Sequence, residues 1–408
     1  MIQSPCRSLA FAALSRLESG ALRVEDSRGS FDFGKPSDAA PAPILLRVRA
    51  ERLWRSLVLG GSMGGCEAFL RGDFESDDLV GLLRLLLRDA HVLGGFDAGL
   101  GRIGEIWRRL GHALRANSKR GSRRNIHAHY DLGNEFFARF LDPTLTYSAG
   151  IFESDDATLE QASIAKYERI CRKLELGPQD HVLEIGTGWG GFALHAARSR
   201  GCRVTTTTLS RAQHEFASQR IGNAGLQDRV TVLLEDYREL RGQYDKLVSI
   251  EMIEAVGHRY FDAYFRACAE RLARDGRMAL QAILIDENSY ESARDTVDFI
   301  KWHVFPGGCL PSLGAITSSS ARASDLRIVH VEDLTPHYTR TLRCWRERFV
   351  ASLDAIRELG HPEELLRSFE LYFAYCEAGF SERRIASAQI VLDKRESRST
   401  PILGALPA

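Results

Sequence analysis

The run His181-Val182-Leu183-Glu184-Ile185-Gly186-Thr187-Gly188-Trp189-Gly190-Gly191 constrains the fold more than any other stretch. Residues 182–185 read as a buried strand. The glycines permit a tight turn and a close approach of ligand to backbone, and Phe192-Ala193-Leu194-His195-Ala196-Ala197 opens a helix. Such a strand–turn–helix binds a nucleotide-like cofactor at the helix N-terminus.

Gly186, Gly188 and Gly191 fit dinucleotide spacing. The next strand, 203–209, nevertheless ends without the acid expected about 20 residues on. Glu184, two residues before the first glycine, fits S-adenosylmethionine better, and E-x-G-x-G-x-G resembles the first motif of class I methyltransferases. A purely structural glycine turn and a nicotinamide site are the alternatives.

Strands and helices then alternate: strand 204–209, a helix from Arg211, strands 230–234 and 246–250, a helix from Tyr260, and strand 277–284. This rhythm predicts an α/β fold, a doubly wound and mostly parallel seven-stranded sheet. An interruption over 286–324 supplies helical cap insertions. Helices lead to a last strand, 386–392.

Upstream, Leu22, Val24, Phe31 and Phe33 alternate as short strands would, with a turn at Ser27-Arg28-Gly29 and a proline-containing loop over 35–43. A helix runs through Leu79, Leu82, Leu83 and Leu86. This predicts a small N-terminal α+β domain over 1–107, a linker over 108–124, a catalytic domain over 125–395 and a tail over 396–408. The linker carries Arg108, Arg109, Arg115, Lys119, Arg120, Arg123 and Arg124 with no acid. It reads either as a solvated connector or as a contact for anionic headgroups, each basic residue adding about 1 kcal/mol at the surface. No reading helix or stacking platform accompanies it, which argues against nucleic acid.

Basic and acidic residues balance at 54 each, so net charge names no partner. No apolar run approaches the ~20 residues that span a bilayer. The faintly signal-like N-terminus, 1–14, reads as an amphipathic helix. Eight cysteines without C-x-x-C pairs indicate no metal site and no disulfide framework, and fit a reducing cytoplasm.

Several ordered phrases sharpen the reading: H-Y-D-L-G-N, T-Y-S, G-x-G-W-G-G, T-L-S-x-x-Q, M-I-E-A-V-G, F-P-G-G-C-L-P and L-R-C-W-R-E-R-F. Together they resemble the cyclopropane-fatty-acyl-phospholipid synthases and the related mycolic acid methyltransferases, over about 125–392, with a fainter echo in 62–74. The resemblance implies cofactor contacts from Tyr147, Ser148, Glu184, Gly186, Gly188, Gly190, Thr208, Leu209 and Gln213, and an adenine site at Asp236 and Tyr237. Core packing is the other reading of Tyr237.

The implied chemistry joins the sulfonium methyl, an electrophile, to a cis alkene in an acyl chain. A dry apolar slot aligns the two. A base then removes a proton. Loss from the new methyl closes a cyclopropane, whereas loss from a neighbouring carbon leaves a methyl-branched or methylene chain. The resemblance implies bicarbonate as that base, held by a cysteine, a glutamate, a histidine, an isoleucine backbone group and a tyrosine. Those positions here are Ala149, Glu254, Gln281, Ile283 and Tyr338, so the cysteine and histidine are both replaced. Ala255 also replaces a histidine common beside the glutamate.

Glu251, three residues before Glu254, offers compensation. Should a helical turn begin there, both carboxylates share a face, and one pKa rises as a general base requires. Glu251 then assists or replaces bicarbonate. Alternatively it hydrogen-bonds the cofactor or caps the next helix. Cys376 matches a cysteine often given as the family's active site, though alkene methylation needs no thiol, and a wall of the acyl pocket suits it better. Trp302, Phe305 and Tyr338 offer ring faces to a cation or simply pack.

The resulting expectation is C-methylation of an unsaturated phospholipid acyl chain by a peripheral protein at the inner face of the membrane, with a homodimer open. The rivals are a methyltransferase of a small soluble substrate and a lipid-binding protein without activity.

Overall fold

The structure, a computed structural model, describes residues 5–36, 42–98 and 132–402. They form two compact units. The basic stretch 108–124 and the start of the H-Y-D-L-G-N phrase lie outside the described residues.

In the first unit, β1 (Ala21–Asp26) and β2 (Gly29–Gly34) form a hairpin. β3 (Ile44–Val48) runs parallel to β1, and β4 (Phe74–Ser76) closes the order β2-β1-β3-β4. Leu22 and Val24 are buried, and Phe11 on the helix Pro5–Leu14 meets Phe33 of β2 and Trp54 of the helix Arg52–Leu70 edge-on at 4.9 and 5.3 Å. Arg52–Leu70 breaks at Gly61, whose φ of 60° suits glycine alone.

The division in space does not follow one boundary in the sequence. Asp295–Val304 and Phe349–Arg384 belong to the first unit, although an unbroken domain over 125–395 is the expectation from sequence. The physical reason is the helix Glu363–Ser381, which packs on Leu79–Arg88. At its end Glu382 is clasped by Arg84 and Arg88 at 2.6 and 2.7 Å.

The second unit holds the seven-stranded sheet, ordered β10-β11-β9-β8-β5-β6-β7. Its strands are β5 (His181–Ile185), β6 (Arg203–Thr207), β7 (Val230–Leu233), β8 (Tyr244–Ile250), β9 (Leu272–Ile285), β10 (Arg327–Asp333) and β11 (Ile385–Asp393). β9, β8, β5, β6 and β7 run parallel to one another, whereas β11 is antiparallel to β9 and to β10. β10 is absent from the sequence reading. As an edge strand it alternates exposed and half-buried residues and presents no apolar run.

β5 lies centrally and is apolar on both faces, as a covered parallel strand must be. Leu183 and Ile185 join one core with Leu247, Met278 and Phe265. Val182 joins the other with Tyr167, Phe192, Val204 and Val248. By period two, Glu184 shares the face of Val182, where a carboxylate is out of place in a purely structural core. The chain winds outward from β5 to β6 and β7, then returns to β8 on its other side. The crevice at the strand ends between β5 and β8 is where open α/β sheets bind ligands.

Candidate active site

A cavity opens at that crevice. It is lined by the ends of β5, β6 and β8, by the glycine turn, and by the segment 145–148. Of the residues expected to hold a cofactor, Tyr147, Ser148, Glu184, Gly186, Gly188, Thr208, Leu209, Gln213, Asp236 and Tyr237 all line it, and Glu251 does too. Gly190 does not. It starts the helix Gly191–Arg200 in a left-handed conformation, φ 83°, with Ala217 pressed 3.3 Å from where a Cβ would stand. Gly188 has φ 52° and open space around it, as a turn facing a ligand requires.

The polar groups of the cavity are arranged by their neighbours. Trp189 Nε1 donates to Asn134 Oδ1 at 2.8 Å, which gives the last residue of H-Y-D-L-G-N a role in fixing the glycine turn. Thr208 Oγ1 donates to Gln213 Oε1 at 2.9 Å. Asp236 is held by both arms of Arg238, at 2.8 and 2.6 Å. Tyr237 packs edge-on against Tyr264 at 5.6 Å while also lining the cavity.

Glu184 is buried, and its Oε2 has no hydrogen-bond partner among the described residues. Desolvation pushes its pKa up to about 8, against the pull of Thr206 and Lys166. An orphaned acid acceptor beside an open glycine turn fits the donors and positive charge of S-adenosylmethionine. The cofactor would be held by the glycine turn and Glu184 on one side, and by Gln213, Asp236 and Tyr237 on the other.

Lys166 escaped the sequence reading. It lies on the helix Leu159–Lys173, fully buried in the cavity wall, with Nζ 2.7 Å from Ser148 Oγ. Burial lowers its pKa to about 8, opposed by Glu251, Asp142 and Glu184. The available signal was its place on the inward stripe of Ser163, Tyr167 and Ile170. The segment carrying Tyr147 and Ser148 is held by a chain of hydroxyls. Tyr167 meets Thr146 at 2.5 Å, Thr146 meets Thr144 at 2.6 Å, and Thr144 donates to Asp142.

Deeper in, Glu251 organises the remaining expected residues. One of its oxygens accepts from the Ala149 N–H at 2.9 Å and from Gln281 Nε2 at 2.8 Å. The other accepts from the Tyr338 hydroxyl at 2.6 Å. The Ile283 N–H donates to Glu254 Oε1 at 2.5 Å, and Glu254 Oε2 has no partner among the described residues. The helical turn expected from Glu251 begins later, at Ile253. Glu251 itself has φ 49°, a left-handed conformation that is rare outside glycine. The two carboxylates are still close enough to repel. Burial raises both pKa values, and repulsion from Glu251 helps push Glu254 to about 8. Three donors and Lys166 favour the charged form of Glu251, whereas Glu254, with fewer such partners, is pushed further toward its neutral form.

The donors expected to hold a bicarbonate are already taken by the two carboxylates. Three of the five positions already donate to Glu251, and a fourth, Ile283, donates to the fifth, Glu254.

An aromatic wall adjoins Glu251. Tyr338 packs edge-on to Trp345 at 6.1 Å, Trp345 meets Tyr147 at 5.2 Å, and Tyr147 meets Phe305 at 6.5 Å. Trp302 and Cys376 belong to the first unit, and neither lines the cavity. Desolvation raises the Cys376 thiol well above its ordinary range, so it offers no thiolate.

The fold and cofactor crevice define a class I methyltransferase that uses S-adenosylmethionine. The model of the mycolic acid cyclopropane synthetase family matches residues 117–390, and the chain belongs to that family. It is 40% identical to the tuberculostearic acid methyltransferase UfaA1 of Mycobacterium tuberculosis, over 83% of this chain and 80% of that one. It is 34% identical to the cyclopropane-fatty-acyl-phospholipid synthase of Escherichia coli, over 86% and 88%. The solved mycolic acid cyclopropane synthase CmaA1, complexed with SAH and CTAB, superposes with a TM-score of 0.63 at 33% identity, over 67% of this chain and 98% of that one.

Proposed function

We propose that this enzyme adds a one-carbon unit to the cis double bond of an unsaturated phospholipid acyl chain, with Glu251 as the base. The observation that carries the reading is the Glu251 carboxylate seated on the Ala149, Gln281 and Tyr338 donors. S-adenosylmethionine supplies an electrophilic methyl. The chain's own residues do the rest. Tyr147, which lines the cavity, offers its ring face to the carbocation left when the alkene carbon bonds the methyl, and Trp345 and Tyr338 packed behind it keep that wall dry. Glu251 takes the proton that the cation must lose, and Glu254, protonated beside it, keeps the pair from carrying two charges.

A base built into the protein, in place of a small mobile anion, favours proton loss without ring closure. The product is then a methyl-branched or methylene chain that keeps its unsaturation. The similarity to a tuberculostearic acid methyltransferase supports this over cyclopropane formation. Membrane docking through the first unit and the basic stretch, at the inner face, belongs to the same proposal. Among the described residues no helix is long and apolar enough to cross a membrane.

The test is incubation of the purified protein with S-adenosylmethionine and vesicles of matched saturated or unsaturated phospholipid. A CH2 gain in the unsaturated chains alone supports the reading. A gain only on small soluble acceptors contradicts it.

A further inference from the structure

Gln281 points its amide nitrogen at Glu251, and a buried chain of side chains dictates that orientation. Gln281 Nε2 donates to Glu251 Oε1 at 2.8 Å and to the Ala149 carbonyl at 3.2 Å. Its Oε1 accepts from Gln389 Nε2 at 3.0 Å. Gln389 Oε1 in turn accepts from Lys173 Nζ at 2.7 Å. Lys173 is fully buried at the end of the helix Leu159–Lys173, and its ammonium also pairs with Glu332 at 2.6 Å. The sheet sets the spacing. Glu332, Gln389 and Gln281 are direct cross-strand partners on β10, β11 and β9, and Gln281 stands beside Ile250 on β8, next to Glu251.

An amide can face either way, but an ammonium has only donors and a carboxylate only acceptors. We propose that Lys173 and Gln389 are positioning residues that set the direction of this chain. The ammonium turns each amide oxygen toward itself and each amide nitrogen toward Glu251, holding Glu251 as an aimed, ionised base. The inference rests on the reading of Glu251 as the base. A reversed Gln281 would set its oxygen against both the Glu251 carboxylate and the Ala149 carbonyl. Chains of this kind in a low-dielectric interior polarise in one sense throughout.

The charged and titratable groups around the chain are few. Lys166 of the same helix, Glu254 and Tyr338 face Glu251. Arg169 and His330 stand by the Lys173–Glu332 pair, His337 lies near Glu332, and Arg277 donates to the Lys173 carbonyl.

The discriminating variant is Gln389→Glu. It keeps size, and the new carboxylate pairs with Lys173. It also demands a donor from Gln281, which reverses that amide. We expect the acid limb of the kcat–pH profile to move up by about one unit or more, as for a carboxylate losing a donor and gaining an opposed oxygen. We expect kcat at neutral pH to fall at least tenfold, with the Kd for S-adenosylmethionine unchanged within about threefold. Gln389→Met, which removes the hold without charge, should shift the limb in the same direction by less, and serves if Gln389→Glu does not fold. Lower thermal stability with an unmoved acid limb in both variants would reduce the chain to packing and overturn the proposal. Glu251→Gln, measured in parallel, separates the two claims. Wild-type turnover in that variant removes the base itself, whereas an inactive Glu251→Gln with an unmoved limb in Gln389→Glu removes only the chain.

Discussion

Glu251→Gly is the most informative change in this site. It deletes the carboxylate and relieves the left-handed backbone, because glycine accepts φ 49° without the strain of about 1 kcal/mol that a side chain bears there. The fold should therefore survive. What remains is a vacancy ringed by the Ala149 N–H, Gln281 Nε2 and the Tyr338 hydroxyl, which had held the carboxylate at 2.9, 2.8 and 2.6 Å. Each bond to a charged group contributes about 1.5–3 kcal/mol. A small carboxylate from solution that recovers half of the sum, about 2–4.5 kcal/mol, binds with a Kd of about 0.5–20 mM. Loss of a positioned base costs about 10²–10⁴ in rate. The expectation is a folded variant that binds S-adenosylmethionine but is almost inactive, and recovers turnover with millimolar bicarbonate or formate. The assay is transfer of labelled methyl to unsaturated vesicles across an anion titration. Full activity without added anion would refute Glu251 as the base. A folded variant that no small carboxylate restores would refute the donor geometry.

Further outcomes follow from the same structure. Glu254 carries a pKa raised to about 8, so the folded state binds its proton more tightly than the unfolded chain, and this contribution to stability is lost as pH rises from about 4.5 through 8. Glu254→Gln should therefore stabilise the fold relative to wild type more at pH 9 than at pH 6, by up to a few kcal/mol in calorimetry. An equal difference at both pH values would contradict the assignment. Arg277, buried on β9, pairs both arms with Asp393 at 2.7 and 3.0 Å; Asp393→Ala strands that charge and should cost about 3–5 kcal/mol in denaturant unfolding, a loss under 1 kcal/mol counting against it. Lys166→Met removes the ammonium behind Ser148 and should weaken S-adenosylmethionine binding about tenfold by calorimetric titration, with unchanged affinity contradicting its place in the site.

Much of this was legible in the sequence because the relevant signals are local. The glycine turn, the strand before it and the position of Glu184 two residues before the first glycine follow from neighbouring residues alone, and so does the α/β rhythm from 181 to 285. The replacements Ala149 and Gln281 also pointed to an altered base before any geometry was known. What escaped depends on contacts distant in sequence. Lys166 and Lys173 look like ordinary helical lysines until the helix is laid on the sheet. β10 lacks an apolar run because it lies at an edge. The helix Glu363–Ser381 joins the first unit through its contact with Leu79–Arg88, almost 300 residues away, which no linear boundary conveys. The three donors that Glu251 meets, Ala149, Gln281 and Tyr338, likewise come from segments far apart in the sequence.

Analysis of the lipid product distinguishes proton loss without ring closure from cyclopropane formation. Vesicles of a monounsaturated phospholipid are incubated with enzyme and S-adenosylmethionine, and the acyl chains are weighed before and after catalytic hydrogenation under conditions that spare cyclopropanes. Proton removal by Glu251 without ring closure gives chains heavier by one CH2 that still take up hydrogen across a surviving double bond. Chains that gain CH2 but take up none would be cyclopropanes and would contradict proton removal by Glu251 without ring closure. Chains that gain nothing would contradict the acyl substrate itself.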